Sequence, residues 1–265
     1  MKIRTPAVAG SFYPADPEAL RRLLRSYLEE VEVPPEGPPP KALIVPHAGY
    51  LYSGPVAASA YARLAPFRDQ VTRVVVLGPS HFATFPGLAV PPAEIEAFAT
   101  PLGTIPLDRP ALENLLRSGP AVTVRPEAHA QEHSLEVQLP FLQETLATFT
   151  LVPIVAGKSS PGEIAGILDQ LWDGPGSLFV VSSDLSHYHA YPTAQERDRR
   201  TAEHIVALEA GDLSPGDACG CGPIQGLLNL ARQHHLNAEL LDLRNSGDTA
   251  GPRDQVVGYA ALAFR

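Results

Sequence analysis

SLFVVSSDLSHYHA, residues 177–190, begins as a short unbroken apolar run and ends in a concentration of polar chemistry. Leu, Phe and two Val in succession, without polar alternation, read as a strand buried on both faces rather than one with a wet side. The same signature recurs in ALIV (42–45), RVVVLG (73–78) and FTLVPIVAG (149–157). Between these runs lie segments of helical character: SGPVAASAYARLA, RPALENLLRSG, SLEVQLPFLQETLATF and PGEIAGILDQLW. ERDRRTAEHIVALEAG and GPIQGLLNLARQHH add two more helices, and AELLDLRNSGD and QVVGYAALAF read as closing strands. Buried strands alternating with helices predict an α/β fold: three α/β/α layers, with a central mixed, largely parallel sheet flanked by helices. No internal repeat or compositional break interrupts the chain, so residues 1–265 are expected to form a single domain.

Ahead of these runs, DPEALRRLLRSYLEEV carries its leucines on one helical face, with Asp16 as N-cap and Pro17 at the first helical position. PPEGPPP (34–40) cannot be helix and reads as a semi-rigid spacer. At 265 residues, 45% of them hydrophobic, the chain can bury a sizeable core. No run approaches the roughly 18 apolar residues of a membrane span, and the N-terminus lacks a signal-peptide apolar region, so a cytoplasmic protein without membrane contact is expected. A net charge of −9, with RDRR (197–200) as the only short basic block, argues against a nucleic-acid partner. The 28 prolines and the preference for Arg over Lys, with lysines only at 2, 41 and 158, suit a rigid, heat-tolerant protein and equally a biased genome. Both cysteines lie in DACGCGP (217–223). A bridge across one glycine would be badly strained, so free thiols are expected.

Three buried runs end alike. ALIV leads into Pro46-His47-Ala48-Gly49-Tyr50, VVVLG into Pro79-Ser80-His81, and LFVVSS into Asp184-Leu185-Ser186-His187. Ligands of open α/β sheets bind beyond the carboxyl ends of the strands. One histidine there is more often structural than functional, but three in equivalent places, among only nine in the chain, predict an imidazole cluster. Such a cluster can be a metal site, an acid/base pair or a phosphate relay. A metal would be completed by a carboxylate, with Asp184 available, or by a thiolate from Cys219 or Cys221. The cysteines precede an apolar helix, whose N-terminus is expected to lower a thiol pKa. In HAQEHSLEVQLPFL (129–142), His129, Glu132 and His133 stand ahead of a helix. Glu132 and His133 are expected to line the pocket or to orient ligands from behind. Ser134, Glu136 and Gln138 read as surface or capping positions, and His204, His234 and His235 as helical surface or packing residues.

AGSFYP (9–14), PHAGYLYSG (46–54), GPSH (78–81), EHSLEVQLPFL (132–142), SSDLSHY (182–188) and CGCGPI (219–224) together resemble the Memo family, the B-type component of AmmeMemoRadiSam systems. Memo proteins are similar in fold to class III extradiol dioxygenases, non-haem iron enzymes that open catechol rings. The resemblance implies that His47, His81 and Cys219 bind one divalent metal ion, Fe(II) foremost, with Cu or Zn as alternatives. Asp184 and His187 would serve catalysis beside it, His187 as base and Asp184 as the group that orients an imidazole. Tyr50, Ser80 and Tyr188, each adjacent to a motif histidine, would hydrogen-bond substrate or oxygen, although packing accounts for the tyrosines as well. The dioxygenases use a carboxylate where this chain has Cys219, a softer ligand that accommodates Cu or Zn and is open to oxidation. Cys221 receives no role. The function implied is that of a metal-dependent, dioxygenase-like oxidoreductase acting on a small aromatic or diol-like molecule. The alternatives are a scaffold that binds a short peptide in the cleft, and a metal- or redox-handling protein. The family also suggests a functional link to a radical-SAM protein.

Overall fold

The computed structural model describes residues 2–32 and 37–265. Residues 34–36 of the expected proline spacer therefore lie outside the described residues. In chain order the strands are β1 (Lys2–Arg4), β2 (Ala42–Val45), β3 (Arg73–Pro79), β4 (Leu88–Val90), β5 (Ile95–Thr100) and β6 (Gly103–Pro106). They continue with β7 (Val122–Val124), β8 (Thr150–Ala156), β9 (Ser177–Ser182), β10 (His187–His189), β11 (Ala238–Asn245) and β12 (Val256–Phe264). The helices used below are α1 (Pro17–Glu29), α2 (Tyr50–Tyr61), α3 (Arg109–Arg117), α4 (Pro126–Ala130), α5 (His133–Glu136) and α6 (Leu139–Thr145). After them come α7 (Pro161–Asp169), α8 (Tyr191–Val206) and α9 (Cys221–Gln233).

The four apolar runs form the centre of the main sheet, side by side and parallel, in the order β2-β9-β3-β8. Every residue of β2 and β9 is buried, as their lack of alternation requires, and each aliphatic side chain so buried contributes about 1.5–3 kcal/mol. Antiparallel strands close both sides: β12 pairs with β2 and carries β11, while β4 pairs with β8 and is followed by β7. The sheet is therefore mixed, with a parallel centre. One group of helices comprises α1, α2 and α6, packed on one another; in another, α7 packs on α9, which lies against β3 and β9. A smaller sheet, β1-β5-β6, has no counterpart in the sequence-based reading. Its strands are short and partly exposed, so they lack the apolar signature of the central four.

Two local expectations need correction. SLEVQLPFLQETLATF is two helices, α5 and α6, because Pro140 has no N–H to give the Glu136 carbonyl and its ring blocks a continuous helix. His234 and His235 lie just beyond α9, not within it: His234 is its C-cap, and His235 adopts a left-handed φ of 55°. Among the described residues no helix is long and apolar enough to cross a membrane.

Candidate metal centre

The strand order explains why distant histidines meet. β9 lies between β2 and β3, so the carboxyl ends that lead to His47, His187 and His81 are immediate neighbours. His47 and His81 each stand two residues past the last residue of their strands. Their rings approach edge to face with centroids 5.1 Å apart. His133, the first residue of α5, completes the group by stacking on His81 at 4.5 Å and lying 5.5 Å from His47. One ligand atom from each of His47, His81 and His133 lies within 4.8 Å of the other two, a cluster that could hold a metal ion.

The proton positions on two of these rings follow from the hydrogen bonds. Ser182 Oγ donates its single proton to the Ser134 carbonyl at 2.6 Å and accepts from Gln138 Nε2 at 2.8 Å. Gln138 is fixed in turn, since its amide also donates to the Pro46 carbonyl and its Oε1 accepts from Tyr61. Ser182 can therefore only accept from His47 Nδ1, at 2.8 Å, which puts the proton on Nδ1 and leaves Nε2 a bare lone pair. His81 is held the same way by a carboxylate: Nδ1 donates to Glu132 Oε1 at 2.8 Å while its backbone N–H donates to Glu132 Oε2 at 2.7 Å. A carboxylate behind an imidazole fixes the tautomer and raises the basicity of the free nitrogen, as behind metal-bound histidines.

Electrostatics favour the neutral, ligating form of His47 and His133. Burial, then the neighbouring His81 and His133, push the His47 pKa well down, so the ring is neutral. His133 is lowered chiefly by burial and then by His81. Burial works to raise the Glu132 carboxyl, yet hydrogen bonds from the His81 ring and backbone, the His81 charge and the Ser134 N–H outweigh it, and the pKa falls to about 2.

Cys219, expected with His47 and His81, comes beside His47 alone and does not join the group whose ligand atoms all lie within 4.8 Å of one another. Its Sγ lies 3.3 Å from His47 Nε2 and 3.3 Å from the Asp184 backbone N–H, which donates to it. The expected lowering of its pKa does not occur. Cys219 precedes the N-cap Gly220 rather than lying in α9, and burial followed by the Asp184 carboxylate pushes the thiol up to about 12. A thiolate here needs a cation beside it. Asp184 is itself buried; its Oδ1 accepts from the His47 N–H at 2.8 Å, and burial raises its pKa. His187 donates Nδ1–H to the Leu185 carbonyl at 2.8 Å, which orients the ring and leaves Nε2 outside that bond.

The sequence model described as Memo-like protein matches residues 4–263. The chain belongs to the Memo family. A MEMO1 family protein of Ignicoccus hospitalis is 40% identical, covering 100% of this chain and 99% of its own length. One from Methanopyrus kandleri is 38% identical, with 99% of each chain covered. The crystal structure of an uncharacterized protein from Escherichia coli K12 superposes with a TM-score of 0.50 at 15% identity, over 84% of this chain and 98% of that one, and so shares the fold.

Other motif residues of this Memo chain play varied parts. Tyr50 is buried, its hydroxyl donating to the Val137 carbonyl at 2.6 Å and its ring packing on Phe141 and Tyr13; packing accounts for it. Ser80 donates to the Ala83 carbonyl and shapes the turn that presents His81. Tyr188 is exposed, edge-on to His187. Glu132 bonds His81 rather than its neighbour His133, whose Nδ1 is 3.7 Å away. His129 lies in the core, its Nε2 donating to the Ala89 carbonyl. Cys221, buried at the start of α9, has its pKa pushed up to about 11 by burial and then Asp217. Ser134, Glu136 and Gln138, expected at the surface or in caps, are fully buried. Sequence reasoning passed over Ser182 and Gln138 as supports of His47. The available signal was a polar residue set directly between apolar ones, as Gln138 is in VQLPFL.

Proposed function

We propose that this Memo-family chain is a metal-dependent oxidoreductase of the non-haem dioxygenase type, holding one divalent ion through His47, His81 and Cys219 and acting on a small aromatic or diol-like molecule. The observation that carries this reading is the approach of the His47 and His81 rings, oriented by Ser182 and Glu132, with the lone pair of His47 Nε2 3.3 Å from the Cys219 thiol. Imidazoles with one thiol suit a first-row transition metal, iron foremost, with Cu and Zn accommodated. Such an ion would supply Lewis acidity toward ligand oxygens and, if redox-active, a route for electrons to dioxygen. The protein's own part is positional and acid–base: His187 Nε2 accepts the proton of a ligand hydroxyl, the Leu185 carbonyl holds its ring, and Asp184 braces the His47 backbone. Because the Cys219 thiol must lose its proton to bind, metal affinity should rise with pH.

A second ligand set, His47, His81 and His133, is favoured by their mutual proximity within 4.8 Å. Metal analysis after anaerobic loading separates the two. About one ion per chain is expected, lost in His47→Ala, with Cys219→Ser and His133→Ala identifying the third ligand; Glu132→Gln should weaken binding by about 10- to 100-fold in chelator competition. A chain that takes up no Fe, Cu or Zn would sink the reading. Metal binding without oxygen uptake on any catechol would instead favour a cleft that recognises a peptide or a partner. Exposed Leu51, Tyr52, Phe82 and Tyr188 near the motif histidines suit that role. A cytoplasmic location and a functional link to a radical-SAM protein belong to the same family-based reading.

A further inference from the structure

A second group of ligating side chains lies at the carboxyl end of α8, apart from the strand-end histidines. One ligand atom from each of His204, Glu209 and Asp212 lies within 4.8 Å of the other two. His204 stands in the last turn of α8, about 20 Å along the helix from Tyr191 at a rise of about 1.5 Å per residue. The chain then turns back. Leu208 takes a left-handed φ of 58°, a conformation that favours glycine, and the Leu208 and Glu209 N–H groups donate to the Ile205 and His204 carbonyls at 3.0 and 2.8 Å. This closing turn returns Glu209 to the helix, where its Oε2 meets His204 Nδ1 at 2.8 Å. Asp212, in the single 3₁₀ turn Ala210–Asp212, donates its N–H to the Glu209 carbonyl at 3.2 Å.

A cavity of about 100 Å³ adjoins this group, lined by His204 and Asp212 together with Arg197, Arg200, Thr201 and Asp217. Arg197 gives Nη2 to the Gly216 carbonyl and the Asp217 carboxylate, but its Nε is buried without a partner among the described residues. A buried donor of this kind calls for an acceptor from outside the chain, a water or an oxyanion. An imidazole and two carboxylates are a donor set for zinc or manganese, and three protein ligands leave room for an exogenous oxygen. The proton between His204 and Glu209 stands where an ion would. Ligand atoms at about 2.0–2.1 Å from one tetrahedral ion are roughly 3.3 Å apart, so a pair at 2.8 Å needs little adjustment.

We propose that His204, Glu209 and Asp212 form a second divalent-cation site, suited to Zn(II), whose remaining coordination is served from the adjoining cavity. The site does not rest on the strand-end centre. Its charges favour the occupant: the carboxylates of Glu209 and Asp212 offset those of the ion, and Asp217 already offsets Arg197. Arg200 is left to favour an anionic oxygen as the exogenous ligand. The bound ion braces the segment that delivers Cys219. Gln225 of α9 donates to the Ala210 and Leu213 carbonyls at 2.8 and 3.0 Å, and Asp217 accepts from the Ser214 N–H at 2.9 Å, so the 3₁₀ turn and the approach to Cys219 form one framework.

Zn(II) titration of the metal-free protein by calorimetry, with melting temperature read on the same samples, tests this. Wild type is expected to take up two ions. His204→Gln and Asp212→Asn should each bind the second ion at least about 10-fold more weakly, since disturbing only the support of a ligand already costs that much. Both positions are at least partly exposed, so the metal-free variants should melt with wild type. His47→Ala should keep the second ion. Equal zinc stoichiometry and affinity in wild type and both variants would reduce His204 and Glu209 to an ion pair and overturn the site. A single ion that is lost in His47→Ala and kept in His204→Gln does the same and leaves the strand-end centre standing. A single ion lost in His204→Gln and kept in His47→Ala upholds this site and removes the strand-end centre.

Discussion

Glu132 and His129 lie three residues apart, both nearly inaccessible, and settle their charge in opposite ways. Glu132 stays ionised because four interactions with His81 and Ser134 outweigh its burial. For His129 burial prevails and the adjacent Arg4 adds to it, outweighing the Ala89 carbonyl and the Glu132 charge that favour its charged form, and the pKa falls to about 4. The unfolded chain therefore binds a proton near pH 6.5 that the folded chain refuses. Stability contributed by neutral His129 is complete above about pH 6.5 and is lost as the pH falls toward 4, by about 3 kcal/mol in all. His47 and His133, also lowered, act in the same direction. Thermal melting of the metal-free protein should show this fall, and His129→Gln should make it shallower; an identical slope in the variant would remove His129 from the account.

At the scale of elements, function depends on how strand ends and loops are held. The loop from Asp184 to His187 is pinned by β12 at Gly258 and by Asp198 of α8, whose Oδ1 accepts from the Ser186 N–H at 3.0 Å. A Cβ on Gly258 would come within 2.0 Å of Asp198 Oδ2, so a larger residue there must displace the Asp198 carboxyl group. Gly258→Ala is expected to cost about 1–3 kcal/mol of stability in denaturant titration and to displace His187. Unchanged stability would show that α8 yields. The four parallel strands were legible because burial on both faces writes an unbroken apolar run, a local property. The strand-end histidines were legible for the same reason. The small sheet of β1, β5 and β6 was not, since short, half-exposed strands leave no such trace. Nor was the break at Pro140 foreseen, where apolar spacing suggested a helix that the missing N–H forbids.

Across the whole molecule, the N-terminal segment is tied to the centre by one buried ion pair. Arg4 bonds Glu136 at 2.6 Å and the His129 and Glu132 carbonyls, spanning α4 and α5. Glu136 also accepts from the Ala7 and Val8 N–H groups and from Tyr13. That arrangement holds α5, and with it His133, against residues 4–13, and Phe12 packs on the His133 ring at 4.9 Å. Glu136→Gln leaves Arg4 buried without a counter-charge and should cost about 3–5 kcal/mol in equilibrium unfolding. A loss below about 1 kcal/mol would mean that the carbonyls alone satisfy Arg4. The sequence by itself determined the buried strands, the helices between them and the polar residues at the strand ends, because each is encoded by neighbours along the chain. Only the tertiary structure decided that His133 joins His47 and His81, that Ser182 sets the His47 tautomer while Glu132 orients His81, and that Cys219 is a neutral thiol without a cation. Those are matters of distance and dielectric between residues from 35 to 135 positions apart, where sequence spacing carries no information.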